Sequence, residues 1–406
     1  MELSHPNHLD YGVRSFLYDF CILPSDTGVS RGFLSTLERH VNKSGLQSML
    51  SKACQAVSWM THGQALHRPH LVHEAETVYC EVVGTLARAI VHPTQRSKLE
   101  LRLTSKVLGI YEVTLPQLSA SNDESIHAMG LGALLGIGLS PLRLLSGQLL
   151  TSTSRRSVDK SSNGAEPLFC MSTSNHLPVT LDDLILHLSM LWTRYQMAER
   201  QDDLRILMAD CRALQARFTS WQDSQVPESR PIALANFEGP EDLNIPVGCW
   251  PGRVDTYESL YTAGIWNTAR AAQLLLFALT VKLSADISNT STCLSNMPEA
   301  NSIIKDMMAS IPYHLTHNLH DFVNGPETEI PEPGRTLGGL LIMHPLYVAA
   351  HIPFTSACAK DYLQRCLTWI AKNMGIAQAD KLALSQGLDE NLLQSACMII
   401  WSCFLD

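Results

Sequence analysis

The sequence lacks the features that mark metal sites and exported proteins. Its eleven cysteines are scattered singly, and no CxxC pair occurs. A structural zinc ion needs ligands that are spaced to converge on one tetrahedron, so this pattern gives metal binding no support. The first residues, MELSHPNHLDYG, contain no apolar signal core. We therefore predict no metal, no cofactor and a reduced, intracellular protein.

Clusters of positive charge are equally scarce. The net charge is −9 at pH 7, and no run of Lys and Arg is longer than two residues. The densest group, Arg155, Arg156 and Lys160, lies in the polar stretch TSTSRRSVDKSSNG, which is more typical of a flexible loop than of a nuclear-import signal. A DNA-binding surface needs clustered positive charge to displace counterions. We therefore predict that this chain does not bind nucleic acid directly.

Long apolar runs and local catalytic motifs are absent too. The longest apolar run, MGLGALLGIGL, covers Met129 to Leu139 and is followed by Pro141 and Arg143. It is too short to span a bilayer, so we predict no membrane span. The sequence contains no GxSxG and no GxxxxGK[ST] motif, and VHEAET lacks the second histidine of a zinc-protease helix. No hydrolase or phosphate-binding motif is therefore present.

What the sequence does contain is helical spacing. In the segment 70–93, apolar residues recur three or four positions apart. Thr180, with Asp183 three residues later, is a suitable N-cap for a long helix or for two helices that break near Arg200. The segment YESLYTAGIWNTARAAQLLLFALTVKLSADI is apolar around most of its circumference, which predicts a buried central helix.

No segment alternates convincingly between apolar and polar residues, as a half-buried strand would. Segments 151–166, 223–248 and 325–334 are polar, but helical patterns of one character continue on both sides of each. We therefore predict an all-α fold with a single domain over residues 1–406 and polar loops near these three segments.

Four blocks in the last third of the chain carry a recognisable pattern. They read AGIWNTARAAQ (Ala263–Gln273), KDMMASIPYHL (Lys305–Leu315), LLIMHPLY (Leu340–Tyr347) and NMGIAQADKLA (Asn373–Ala383). In order and spacing they resemble the C-terminal regulatory domain of fungal zinc-cluster transcription factors, and the resemblance covers about residues 30–400. Two differences stand out. The six-cysteine zinc cluster of that family is absent, and His344 occupies the usual place of an aromatic residue.

The resemblance implies two hypotheses of function. Isolated domains of this kind are similar to the all-helical hetero-Diels–Alderases of tropolonic sesquiterpene pathways. This favours a cofactor-free pericyclase that joins a tropolone-type quinone methide to an apolar terpene alkene in a dry cavity, where positioning lowers the barrier. The alternative is the sensor domain of a transcription regulator that lacks its own zinc cluster. The expected partners are small apolar molecules derived from terpenes and polyketides, with a homodimer left open. The expected location is the cytoplasm for the enzyme and the nucleus for the regulator.

Two polar residues in these blocks each allow two interpretations. His344 precedes Pro345, so its ring either bonds an orphan helix carbonyl or faces a pocket, where it could exchange a proton. Arg270 lies on an otherwise apolar helix, and a buried guanidinium requires partners. It either forms an ion pair with Asp306 or Glu258 or contacts a ligand.

We predict a pocket between the helix that carries Trp266–Arg270 and the segment 340–351, with Tyr313 at its edge. In the enzyme hypothesis, His344, Arg270 and Tyr313 have the catalytic roles of hydrogen-bond donor or general acid. Five further residues are predicted to contact the substrate: Tyr261, Trp266, Asn267, Tyr347 and His351.

Overall fold

The computed structural model describes residues 8–24, 32–91, 98–115, 169, 171, 179–198, 200–241, 244–288, 297–325, 329–389 and 400–404. Helices predominate in these ranges, which confirms the predicted all-α fold. The apolar run at 129–139, the loop predicted at 151–166 and the basic residues within that loop lie outside the described residues.

The described part of the chain contains α-helices along most of its length. In chain order they are α1 (His8–Phe20), α2 (Leu37–Ser44), α3 (Met49–Ala65), α4 (Pro69–Val91), α5 (Lys98–Thr114), α6 (Leu181–Met197), α7 (Gln201–Ser224), α8 (Leu260–Ser288), α9 (Met297–Leu315), α10 (Leu319–Asn324), α11 (Thr336–His351), α12 (Ala357–Met374) and α13 (Gln378–Leu384).

The predicted start of α6 is confirmed in detail. Thr180 Oγ1 accepts a hydrogen bond from the Asp183 backbone nitrogen at 3.2 Å, and Asp183 Oδ2 accepts one from the Thr180 backbone nitrogen at 3.3 Å. This reciprocal pair satisfies donors that the first helical turn leaves open. Of the two alternatives for this segment, the structure has two helices that break near Arg200, because α6 ends at Met197 and α7 begins at Gln201.

A small antiparallel hairpin departs from the helical prediction. Strand β1 (Ile232–Phe237) pairs with β2 (Gly252–Thr256), so that Ile232 lies opposite Thr256 and Phe237 lies opposite Gly252. β1 falls inside the polar segment 223–248. Its first three residues are exposed, so the alternation that predicts a half-buried strand is missing. Arg253 connects the hairpin to α9 through an ion pair with Asp306 at 2.8 Å.

α8 and α11 form the centre of the hydrophobic core. Every residue of α11 from Thr336 to Ala350 is buried, and α8 is buried over most of its length. A helix that is apolar on all sides has no face to turn to water and must be surrounded by other elements. The predicted central position of α8 is therefore observed, and α11 lies beside it.

Two proline sites differ from the sequence-based expectation. α11 continues through Pro345 and α9 continues through Pro312, although a proline inside a helix usually kinks or ends it. A proline removes one hydrogen bond of the ladder. Most residues around the two prolines are buried, so packing against other elements offsets this loss.

Close approach of α11 to α9 requires a glycine. A Cβ atom on Gly338 would overlap the His314 carbonyl oxygen, so no larger residue fits without moving one helix. Within the described ranges, no helix is both long and apolar enough to cross a membrane.

Candidate functional site

A cavity opens between the two central helices beyond a point of close contact. There, a Cβ atom on Gly264 of α8 would lie 3.1 Å from Leu341 Cδ1 of α11. One turn farther along each helix, Thr268 and His344 are part of the wall of a cavity of about 330 Å³. This volume is at the lower end of the range for small-molecule sites.

The wall of this cavity is mostly apolar. Helices α6, α8 and α11 contribute aliphatic side chains, and the C-terminal residues add aromatic ones; examples are Leu188, Leu275, Ala278, Val348, Trp401 and Phe404. The described lining residues with a hydroxyl, amino or imidazole group are Ser189, Thr268, Lys282, His344 and His351. An apolar wall with a few polar groups is the usual composition of a site for a small organic molecule.

His344 is the most unusual residue of the wall. Its side chain is 4% exposed, and its Nε2 atom is buried with no hydrogen-bond partner among the described residues. Burial lowers the pKa of His344 to about 4, so the ring is neutral near neutral pH. A buried polar atom without a partner destabilises the fold by about 1–3 kcal/mol. Of the two interpretations of His344, the structure supports the ring that lines a pocket.

His351 lines the cavity as well, but its ring is already engaged. Nδ1 lies 2.8 Å from the Tyr347 carbonyl oxygen, and Nε2 lies 2.8 Å from the Ser385 carbonyl oxygen. The Tyr347 hydroxyl donates to the Gly387 carbonyl at 2.7 Å and accepts from the Asp389 backbone nitrogen at 2.7 Å. Both residues therefore hold segment 385–389 against α11, and Leu388 of that segment forms part of the wall.

A cation lies at the far end of the α8 wall. Lys282 is exposed, and its Nζ atom lies 5.0 Å from the centre of the Trp192 ring. Both residues line the cavity. Thr268, Leu275 and Lys282 are seven residues apart in sequence and so follow one stripe of the helix.

Arg270 belongs to a buried polar network outside this cavity wall. Its Nη1 atom donates to the Tyr257 hydroxyl and to Asn267 Oδ1, each at 2.9 Å. No carboxylate of the described residues lies within ion-pair distance of Arg270, because Asp306 pairs with Arg253. The ion pair that we considered for Arg270 is therefore not formed.

Asn267 extends this network to α9 and α11. Its Nδ2 atom donates to Ser310 Oγ at 2.9 Å and to His314 Nε2 at 3.0 Å. Because Nε2 accepts, His314 carries its proton on Nδ1, which donates to the Gly338 carbonyl at 3.0 Å. Burial lowers the pKa of His314 to about 4. The network joins three helices and satisfies these atoms within the protein.

The remaining predicted residues also lie outside the cavity wall. Trp266 Nε1 donates to the Ser229 carbonyl at 2.6 Å. Tyr313 packs against Tyr257, and burial raises its pKa to about 12. Tyr261 is fully buried in the core.

The structure thus brings two of the predicted site residues, His344 and His351, into the cavity wall, while Tyr347 braces an adjoining segment. It also adds wall residues that sequence reasoning missed, above all Lys282, Trp192 and Thr268. The one signal for Lys282 was a single charge on the otherwise apolar stripe of α8. Nothing in the local sequence connects it to Trp192.

Comparison with known proteins gives one relative over nearly the whole chain. The chain is 34% identical over 406 residues to "Transcription factor dbaG" of Emericella nidulans (strain FGSC A4), an alignment that covers 98% of this chain and 96% of that protein. No family model matches the sequence. No solved structure matches it either. At this identity and coverage, the chain belongs to the family of the fungal transcription factor dbaG.

Proposed function

We propose that this chain regulates transcription as a small-molecule sensor. A mostly apolar ligand of terpene or polyketide origin occupies the cavity between α8 and α11, and the ligand-bound protein acts in the nucleus through a DNA-binding partner. The observation that carries this proposal is the apolar cavity lined by His344, whose Nε2 atom has no partner among the described residues, in a chain related to a protein named as a transcription factor.

The charge of the chain favours action through a partner. The net charge is −9, and the sequence holds no run of Lys and Arg longer than two residues. Direct binding to DNA relies on clustered cations. A regulator without such a cluster needs a second protein to reach a promoter.

Gene deletion tests the regulatory proposal. We expect deletion to change the transcripts of target genes at least about fivefold and the wild-type gene to restore them. Ala272→Phe, which places a ring in the cavity, should leave the protein folded but fail to restore the transcripts. Ala213→Phe, on the exposed side of α7, is the matched control and should restore them. Unchanged transcripts in the deletion strain would contradict the proposal.

One observation favours a second function, that of a cofactor-free hetero-Diels–Alderase. A neutral imidazole in an apolar cavity can donate a hydrogen bond to an oxygen that gains negative charge, and a dry site strengthens such an interaction. The test incubates purified protein with a quinone methide precursor and a terpene alkene, with boiled protein as control. Product formation, together with unchanged transcripts in the deletion strain, would favour the enzyme over the regulator.

A further inference from the structure

We infer that the cavity takes an elongated, mostly apolar organic acid, with its carboxylate at Lys282 and Trp192 and a hydrogen-bonding group near its other end at His344. This inference rests on the proposed function, because it names the chemical class of the ligand. Three features of the wall support this class of ligand: the position of the cation, the lack of Asp and Glu among the described lining residues, and the distance between the two polar ends.

Lys282 is available to an anion. Its nearest acidic neighbour along the helix is Asp286, one turn on, and Asp286 instead accepts a hydrogen bond from the Tyr195 hydroxyl at 2.8 Å. No ion pair between Lys282 and another described residue exists. The Trp192 ring lies 5.0 Å from the Lys282 amino group and holds it beside the cavity.

The sign of the charge selects the class of ligand. Of the residues that line the cavity in the described part of the chain, none is Asp or Glu, and Lys282 is the sole Lys or Arg. An amine would therefore meet a cation and find no carboxylate at the wall. A carboxylate would find its counterion at Lys282 while its apolar body replaces water along Leu275 and Val348.

The two polar ends of the wall are far apart. His344 lies one turn past the Gly264–Leu341 contact on α11, and Thr268 lies one turn past the same contact on α8. From Thr268 to Lys282 the stripe of α8 covers fourteen residues, or about 21 Å along the helix axis. Because helix side chains lean toward the N-terminus, the Lys282 amino group reaches back along this distance. A chain of about a dozen carbons suits the distance that remains between the His344 end of the cavity and the Lys282 amino group.

The charge preference is tested with dodecanoic acid and methyl dodecanoate as probes, by calorimetric titration near neutral pH and below their aggregation limits. We expect the wild-type protein to bind the acid at least about fivefold more tightly than the ester, a modest ratio because Lys282 is exposed. Lys282→Met should abolish this ratio without weakening ester binding, and Lys282→Arg should keep it. Lys372→Met, an exposed lysine on α12, is the matched control and should behave as wild type.

The His344 end of the cavity is tested by adding ω-hydroxydodecanoic acid. Its hydroxyl should tighten binding at least about threefold over dodecanoic acid in the wild type, and His344→Phe should remove that gain while melting cooperatively. Four results would each overturn the inference. They are equal binding of acid and ester by the wild type, an unchanged acid-to-ester ratio in Lys282→Met, no gain from the hydroxyl, and no binding of any probe. These results leave the transcript test untouched, whereas unchanged transcripts would contradict the sensor function without altering the measured acid preference.

Discussion

At the scale of single residues, the chain buries two histidines in opposite ways. Burial lowers the pKa of His314 and of His344 to about 4 in each case. His314 uses both ring nitrogens within the network of Asn267 and Gly338. His344 instead lines the cavity, and its buried Nε2 atom has no hydrogen-bond partner among the described residues. Two rings with the same lowered pKa therefore lie in different surroundings, one satisfied within the protein and the other in the wall of a cavity.

The lowered pKa of His344 predicts a pH-dependent loss of stability. The ring has a pKa near 6.5 when unfolded and about 4 when folded, so the unfolded chain binds more protons between these values. The free energy of unfolding should therefore fall as the pH decreases from 6.5 to 4. His344→Phe should reduce that fall, by up to about 3 kcal/mol at the low end. Urea denaturation of the wild type and of His344→Phe across this pH range measures the fall in the free energy of unfolding. An equal fall in both proteins would refute the link between stability and the pKa of His344.

The network around Asn267 predicts a loss of stability without a loss of binding. Asn267→Ala removes partners from Arg270, Ser310 and His314, so we expect the free energy of unfolding to decrease by about 2–4 kcal/mol. Asn373→Ala, which removes an exposed bond on α12, should change stability by less than about 0.5 kcal/mol. Denaturation and dodecanoate titration of both variants test this. A change in dodecanoate affinity in Asn267→Ala would place the network in the binding site.

At the scale of secondary-structure elements, α8 contributes residues both to the cavity wall and to the buried polar network. Thr268, Leu275 and Lys282 follow the stripe that lines the cavity. Asn267 and Arg270 point toward the network that joins α8 to Tyr257 and α9. Because the helix is buried on almost every side, its polar residues can belong to different sites although they are neighbours in sequence.

The packing of α11 on α9 predicts contrasting effects of two glycine substitutions. Gly338→Ala places a methyl group against the His314 carbonyl and must push the helices apart, so we expect a loss of at least about 2 kcal/mol. At Gly84 in α4, an added Cβ meets nothing within 4 Å. Gly84→Ala should therefore stabilise by up to about 1 kcal/mol, through helix propensity alone. Thermal melts of the two variants decide this, and a stable Gly338→Ala would disprove the close approach.

At the scale of the whole molecule, the acidic balance limits what the chain can bind alone. The sequence has 39 acidic against 30 basic residues. Several described cations are also engaged, such as Arg253 with Asp255 and Asp306, and Lys305 with Glu241. Such pairs neutralise part of the positive charge that contact with a phosphate backbone would need.

We therefore expect no sequence-specific complex between the isolated chain and promoter DNA from its own gene neighbourhood. A gel shift at sub-micromolar protein should show no specific band, with or without dodecanoic acid. A zinc-cluster protein on its cognate site serves as the positive control. A specific band that weakens steeply with salt would contradict this expectation and point to direct DNA binding.

The sequence alone was enough to predict the main described helices and a likeness to fungal transcription factors. Spacing of three and four residues, the Thr180 cap and the all-round apolar character of α8 are local signals, and each was found where expected. The hairpin was missed because β1 is largely exposed and does not alternate. The resemblance identified from the last third of the chain agrees with the relative that matches along its whole length.

Which polar residues share a site could be seen only once the helices were placed against one another. Arg270 and His344 were equally plausible pocket residues from sequence, because each is a polar group on a buried helix. Arg270 finds its partners within the protein, whereas His344 meets the space between α8 and α11. Trp192 and Lys282 meet across ninety positions of sequence. A helical pattern shows which side of one helix is apolar. The position of a cavity depends on how several helices separate, and packing between residues far apart in the chain sets that separation.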